Sequence, residues 1–292
     1  MPLLATPRPT PLVTPPAPVS PFEDAYARLT AAFPGLSVTE LGPEEPDPEG
    51  DGWTPAAALA RGDDTVEAFL AWDEAQILRD YGQRARPDVV ASFGLHRYAW
   101  PACLLITMPW FLHRRVPRLP VGSVTYHRAL GRMAVRIDTF ACLPDDPAAA
   151  LPGARVVTDE EALRTEVREA VAEHLGPILA GFGPRARRRG RALWGMATDE
   201  VVEGLWYVAG QLGQEHRAVS ELELLLPGTT KPYAGAAAFR EAPDPDGASQ
   251  CTRDRVSCCM FYTLRPQDVC ATCPRTARGA GRAARRTVDA TG

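Results

Sequence analysis

The chain has 292 residues, of which 45% are apolar, 23% charged and 8% aromatic, enough apolar material for a sizeable core and for one large domain or two small ones. Its 32 basic and 36 acidic residues leave a net charge of −4. It therefore lacks the positive excess that drives sequence-independent binding to a phosphate backbone, and nucleic acid is excluded as the main partner.

Residues 1–19 read as a Pro-rich disordered arm. The first 21 residues hold eight prolines, with neither a basic start nor an unbroken apolar run, which is unlike a secretory signal. From residue 20 a serine N-cap, a proline and Glu23 have the form of a capping box and open an apolar series through Tyr26, Leu29 and Phe33, so a helix is expected to run up to Pro34. Residues 40–51 hold six acidic residues and three prolines and are expected to form a solvated loop. Thr54-Pro55 and Asp63-Asp64 offer N-caps ahead of helical spacing at Val66, Phe69, Leu70, Ile77, Leu78 and Tyr81.

A helical hairpin is expected over residues 87–111. It includes the longest apolar stretch, 99–112, whose 14 residues contain Pro101 and Pro109; a membrane span needs about 20 apolar residues, so this stretch reads as a buried helix or helix–turn. Alternation with period two on either side of Gly131 predicts a β-hairpin within 121–143. A second capping box, Thr158 to Glu161, precedes Leu163, Val167, Val171, Leu175 and Ile178 at intervals of three and four, predicting a long amphipathic helix. Further helices are expected after Pro184 and from Glu215, then an irregular stretch over 227–250. The fold class is α+β, a mainly helical body over 20–250 with a β-hairpin, followed by an irregular cysteine-rich segment over 251–275 and a flexible basic tail over 276–292.

Cys103 and Cys142 lie alone in apolar patterns and read as small buried hydrophobes. The other five cysteines fall in the last 42 residues, with Cys258-Cys259 separated by ten residues from Cys270-Ala-Thr-Cys273-Pro274. Thiolates are soft ligands that select iron–sulfur clusters, zinc or cuprous copper, and four suffice for a cluster or a tetrahedral zinc ion. Zinc usually takes two Cys-x-x-Cys knuckles, and only one is present. Vicinal cysteines diverge and serve a two-iron centre more readily than one small ion, while Cys273-Pro274 echoes the Cys-Pro of ferredoxin ligand runs. Iron–sulfur, structural zinc and thiol–disulfide exchange all stay open at this level, with iron–sulfur favoured. Cys251, seven residues upstream, reads as an incidental thiol in preference to a spare ligand. In the expected cytoplasmic compartment thiols stay reduced, so clustered cysteines point to metal or redox chemistry.

The pattern Cys-Cys-x10-Cys-x2-Cys, whose first pair is preceded by Arg255 and followed by Tyr262, resembles the ferric-siderophore reductases of the FhuF type, whose motif binds a 2Fe–2S cluster. The stretch from Arg191 to Ala197, with Trp194-Gly195, is similar to that family's helical Trp-Gly segment. The resemblance implies that Cys258, Cys259, Cys270 and Cys273 ligate the cluster and that the protein reduces siderophore-bound Fe(III) by one electron in the cytoplasm. A hydroxamate-type ferric siderophore is the expected substrate. The remaining expected partners are a separate electron donor, such as a ferredoxin or a flavin reductase, and an uptake system met peripherally. No GxGxxG follows a strand, so a nicotinamide or flavin site of that type is not expected.

Arg185, Arg187, Arg188, Arg189 and Arg191 form the densest basic run of the body, and Arg187, Arg188, Arg189 and Arg191 are candidate substrate contacts because guanidinium suits anionic or carbonyl-rich chelates. Trp194, Trp206 and Tyr207 are candidate groove residues whose helical spacing fits core equally well. His96, His113, His127, His174 and His216 show no HxxxH or HExxH pair and read as structural. The rival readings are a binding module with a structural zinc site of four cysteines and a siderophore-binding relative without turnover.

Overall fold

A computed structural model describes residues 20–243, 249–267 and 272–275. The Pro-rich arm over 1–19, the basic tail over 276–292 and Cys270 lie outside the described residues. The fold is α+β, 54% helical with seven helices and small mixed sheets among the described residues.

The first helix, α1 (Glu23–Ala32), starts without a side-chain cap. Ser20 has another role than the expected N-cap: its hydroxyl donates to the Glu40 carboxylate and accepts the Phe22 N–H at 3.1 Å. It thus ties the entry of α1 to the end of strand β1 (Ser37–Glu40). Burial lifts the Glu40 carboxyl above its usual range, and the Ser20 hydrogen bond works against that rise.

Thr54-Pro55 belongs to strand β2 (Trp53–Pro55), which leads into a short helix, α2 (Ala56–Arg61). Asp63 is the N-cap of α3 (Asp64–Tyr81), accepting the Thr65 N–H at 2.9 Å.

The hairpin expected over 87–111 is one continuous helix, α4 (Pro87–His113), with both prolines inside it. A proline removes a donor and strands the carbonyl four residues back. For Pro109 that carbonyl belongs to Leu105, and the buried Tyr26 hydroxyl donates to it at 3.0 Å. A residue of α1 therefore supplies what the helix lacks. By length and apolarity α4 is the one helix among the described residues that could cross a membrane, yet 78% of its apolar window is buried inside the body. It packs against α5 (Glu160–Ala186) and α6 (Gly190–Gln211) and forms the centre of the core.

Strands β4 (Val124–His127) and β5 (Arg132–Val135) make the expected hairpin, and β1 and β2 flank it in a four-stranded sheet of order β1-β5-β4-β2. The alternating run does not continue as one strand. Phe140–Cys142, strand β6, pairs instead with β3 (Arg115–Pro117) and β7 (Ala154–Val156) in a second sheet.

The cap of α5 is Asp159, not Thr158. Its carboxylate accepts the Ala162 N–H at 2.9 Å and the Thr158 hydroxyl at 3.0 Å. Leu163, Val167, Val171, Leu175 and Ile178 are all buried. On the same helix His174 is buried, its Nδ1 lying 2.6 Å from the Leu119 carbonyl and its Nε2 2.9 Å from the Tyr98 hydroxyl. A carbonyl only accepts, so Nδ1 carries the proton and Tyr98 donates to Nε2. Burial pushes the His174 pKa down to about 4, partly offset by the Leu119 carbonyl.

A seventh helix, α7 (Glu215–Leu225), follows α6. The stretch expected to be irregular over 227–250 holds strand β8 (Phe239–Pro243), which pairs antiparallel with β9 (Ser249–Arg253). Their exposed sides are polar and their pairing is local, so little apolar periodicity marks them.

Candidate cluster-binding site

The site is assembled on one face of α6. Asp199 and Glu200 are fully buried in the middle of the helix, and Glu203 follows one turn later. An isolated buried carboxylate costs several kcal/mol unless it is paired, so this face must have partners. The chain after β9 supplies them.

Arg253, itself fully buried, donates through Nη2 to Asp199 at 2.8 Å, through Nη1 to Glu203 at 3.3 Å and through Nε to the Ala237 carbonyl at 3.1 Å. Arg255 lies 3.1 Å from Glu203, 3.6 Å from Glu200 and 3.7 Å from Asp199. Burial works against the Arg255 charge, but Glu203, Glu200 and Asp199 outweigh it, and Cys259 adds to them, so its pKa is driven up. Glu203 shows the counterpart: burial raises its pKa, and with Asp199 and Glu200 beside it the rise persists although Arg255 and Arg253 work against it.

Asp199 also grips the backbone. Its two oxygens accept the Val256 N–H at 2.9 Å, the Ser257 N–H at 2.8 Å and the Ser257 hydroxyl at 2.7 Å. These are the two residues before Cys258. The far half of the cysteine motif is tied to the same helix, because the Thr272 hydroxyl donates to Glu203 at 3.1 Å and the Arg255 N–H donates to the Thr272 carbonyl at 2.9 Å. One acidic helix face thus fixes both the Cys258-Cys259 pair and the stretch that ends in the buried Cys273.

Two glycines let the segment approach. A Cβ at Gly195 would lie 3.1 Å from the Val256 side chain, and one at Gly235, where φ is +83°, would lie 2.4 Å from it. The Trp194-Gly195 pair therefore has a local reason: the glycine admits Val256, and the Trp194 ring packs edge-on to Tyr233 at 5.5 Å. On the opposite side the link between α3 and α4 touches the segment, with Tyr81 against Phe261 and the Gln83 amide donating to the Leu264 carbonyl at 2.7 Å.

The structure brings the basic run to the same place. Arg188 Nη2 donates to the Cys258 carbonyl at 2.6 Å. Arg188, Arg189 and Arg191, together with Arg275, line a cleft of about 560 Å³ whose wall includes Cys258 and Pro274. Arg187 differs from its neighbours. It ends α5 in a left-handed conformation and lines an adjoining hollow with Leu179 and Pro184. Arg185 is structural, donating to the carbonyls of Gly62 and Asp63 and to Glu67.

None of the three candidate aromatics lines the arginine cleft. Trp206 donates its indole N–H to Glu215 at 2.8 Å, and Tyr207 packs against Phe33 and Trp100. Cys251 sits in β9 opposite Glu241, where burial and then Glu215, Glu241 and Glu223 push its thiol pKa up, an environment that disfavours a thiolate ligand.

Among the described residues no group of three His, Cys, Asp or Glu side chains is gathered around a metal position. The donor chemistry nonetheless fits an iron–sulfur group: soft sulfur ligands, anchored from both halves of the motif on one helix and bordered by cationic side chains. Asp199 and its neighbours were not legible as site residues. The available signal was the run of polar side chains Arg253, Arg255 and Ser257 at every second position, all buried in the structure and so in need of polar partners.

No curated protein matches the chain. Residues 255–275 match the family model described as the FhuF 2Fe-2S C-terminal domain, a region named for the cluster it binds. The chain thus carries an FhuF-type cluster-binding region at its cysteine motif, consistent with an FhuF-type family.

Proposed function

We propose that this protein is a cytoplasmic ferric-siderophore reductase, in which Cys258, Cys259, Cys270 and Cys273 hold a 2Fe–2S cluster and a ferric chelate docks in the arginine-lined cleft beside Cys258. The observation that carries this reading is the coincidence of the matched region, 255–275, with that cleft. When bound, the cluster supplies one electron at a time, received from a separate protein donor such as a ferredoxin or a flavin reductase. Asp199 and Glu203 hold the ligand-bearing backbone in place, so little reorganisation is required when charge changes nearby. Arg188 fixes the Cys258 carbonyl, and the neighbouring guanidiniums receive the chelate's oxygens. Chelated Fe(III) gains one electron and becomes Fe(II), which hard anionic oxygens hold much more weakly, and the metal dissociates.

An anaerobic visible spectrum with iron and sulfide analysis, before and after dithionite, tests the reading. Red-brown protein with about two irons and two sulfides per chain, bleaching on reduction and recovering when a ferric siderophore is added, is the expected result. Colourless protein with stoichiometric zinc overturns it. Cys270→Ser is expected to lose most of the iron while keeping the helical circular-dichroism signal.

A further inference from the structure

We infer that the cleft beside Cys258 selects a chelate of net negative charge, a tris-catecholate or a polycarboxylate complex, over the hydroxamate chelate expected from the sequence. The inference rests on the reductase reading for the identity of the metal, and on the cleft alone for the charge of its ligand.

Four guanidiniums, from Arg188, Arg189, Arg191 and Arg275, line this cleft, and among the described residues no acidic one does. None of the four has an ion pair among the described residues. Elsewhere in the body arginines are mostly matched to carboxylates: Arg97 and Arg128 share the buried Asp73, Arg118 reaches Glu166, Glu169 and Glu173, and Arg253 and Arg255 are enclosed by the α6 carboxylates. Crowding like charges is unfavourable unless an anion offsets them, and a 2Fe–2S core with four thiolates would carry about two negative charges when oxidised, which offsets only part of the charge of four guanidiniums.

Two of the four are also pre-oriented. Arg188 is fixed to the Cys258 carbonyl, and Arg275 lies over the Tyr262 ring at 3.9 Å. Side chains already ordered lose less entropy when a ligand arrives. Arg189 stands at the N-cap of α6 without capping it, and the first turn holds no acidic residue, so the positive end of the helix adds to the same field.

The charge of the chelate follows from its ligands. Bound catecholates are each doubly deprotonated and outweigh a trivalent metal, as do the carboxylates of a polycarboxylate complex. Hydroxamates are singly deprotonated and only cancel it. A neutral chelate leaves uncompensated the guanidinium charge that the cluster would not offset, whereas an anionic one pairs with it through short, bidentate contacts. Reduction moves one electron from the reduced protein to the bound Fe(III), and no bond need form or break at the arginines.

Gallium(III) chelates separate binding from reduction, because gallium(III) is not reduced under these conditions. Titration calorimetry on the full-length, cluster-loaded protein is expected to show the gallium tris-catecholate and the gallium citrate complex binding with strong salt dependence. A gallium trihydroxamate should bind weakly and with little response to salt. Comparing the first two identifies which anionic class fits better.

The double variant Arg189→Ser, Arg191→Ser is expected to weaken binding of the anionic complexes at least about tenfold, with the visible and circular-dichroism spectra unchanged. Equal, salt-insensitive binding of the trihydroxamate, or anionic binding unaffected by the double variant, overturns the inference. If the ferric chelates reoxidise dithionite-reduced protein without regard to charge, the reductase reading stands and the selective cleft falls. If the gallium complexes bind by charge but no ferric counterpart reoxidises the protein, the cleft stands and the reductase reading falls.

Discussion

The helical body and the cysteine segment are held by different physics. Around α4, side chains such as Leu104, Leu105 and Met108 are fully buried in the apolar core, and each contributes about 1.5–3 kcal/mol by leaving water. Residues 253–257 rely instead on Arg253, Arg255, Asp199, Glu200 and Glu203, a buried network in which every charge depends on another. Apolar packing tolerates small losses because its energy is spread over many contacts. A buried ionic network concentrates it, and in return fixes the backbone before Cys258 through directed hydrogen bonds to one carboxylate.

That contrast is sharpest at Asp199. Asp199→Ala should cost about 3–5 kcal/mol, because it takes from the buried Arg253 its shortest carboxylate contact and leaves two backbone N–H groups without their acceptor. Iron content should fall further than the helical circular-dichroism signal; equal loss of both would show that segment and body fold as one unit.

Leu104→Ala is the converse. It should destabilise the body by about 2–5 kcal/mol in chemical denaturation while the folded fraction keeps its full iron and sulfide. A bleached but folded product would break the separation between the two regions.

A third probe lies inside the body. His174 is held neutral in the fold with a pKa of about 4, below its unfolded value, so the unfolded chain binds the proton first as pH falls. Stability should therefore drop between about pH 6.5 and pH 4, by at most about 3 kcal/mol, and level off below that. Urea denaturation across this window checks it, and His174→Gln should flatten the curve.

Two smaller effects complete the series. Asp159→Ala removes the cap of α5 and should lower the midpoint of thermal or urea unfolding slightly. Cys251→Ser should leave the visible spectrum unchanged, since its surroundings disfavour a thiolate; a colourless product would move the ligand set.

Much of the body was legible in the chain. The spacing of Leu163, Val167, Val171, Leu175 and Ile178 marked α5, and Asp63 marked the start of α3, because a helix needs an apolar stripe and a capped first turn. Other features were misread for identifiable reasons. Pro101 and Pro109 suggested a break in α4, but Tyr26 supplies a donor to the Leu105 carbonyl that Pro109 leaves unpaired. Ser20 looked like a cap and is drawn instead to Glu40, across the gap between α1 and β1.

Local pattern alone thus carries the helical character of the body, the chemistry of the cysteine motif and the family likeness at 255–275. Each is set by periodicity, residue type or spacing along a few turns of chain. It takes the folded molecule to show that the acidic face of α6 anchors both halves of that motif, that Arg188 reaches Cys258, and that Arg189, Arg191 and Arg275 share its cleft. Those partners stand roughly 50 to 90 positions apart in the chain. No local pattern pairs them; burial does, because a carboxylate placed in the interior must find its cation wherever the fold brings one.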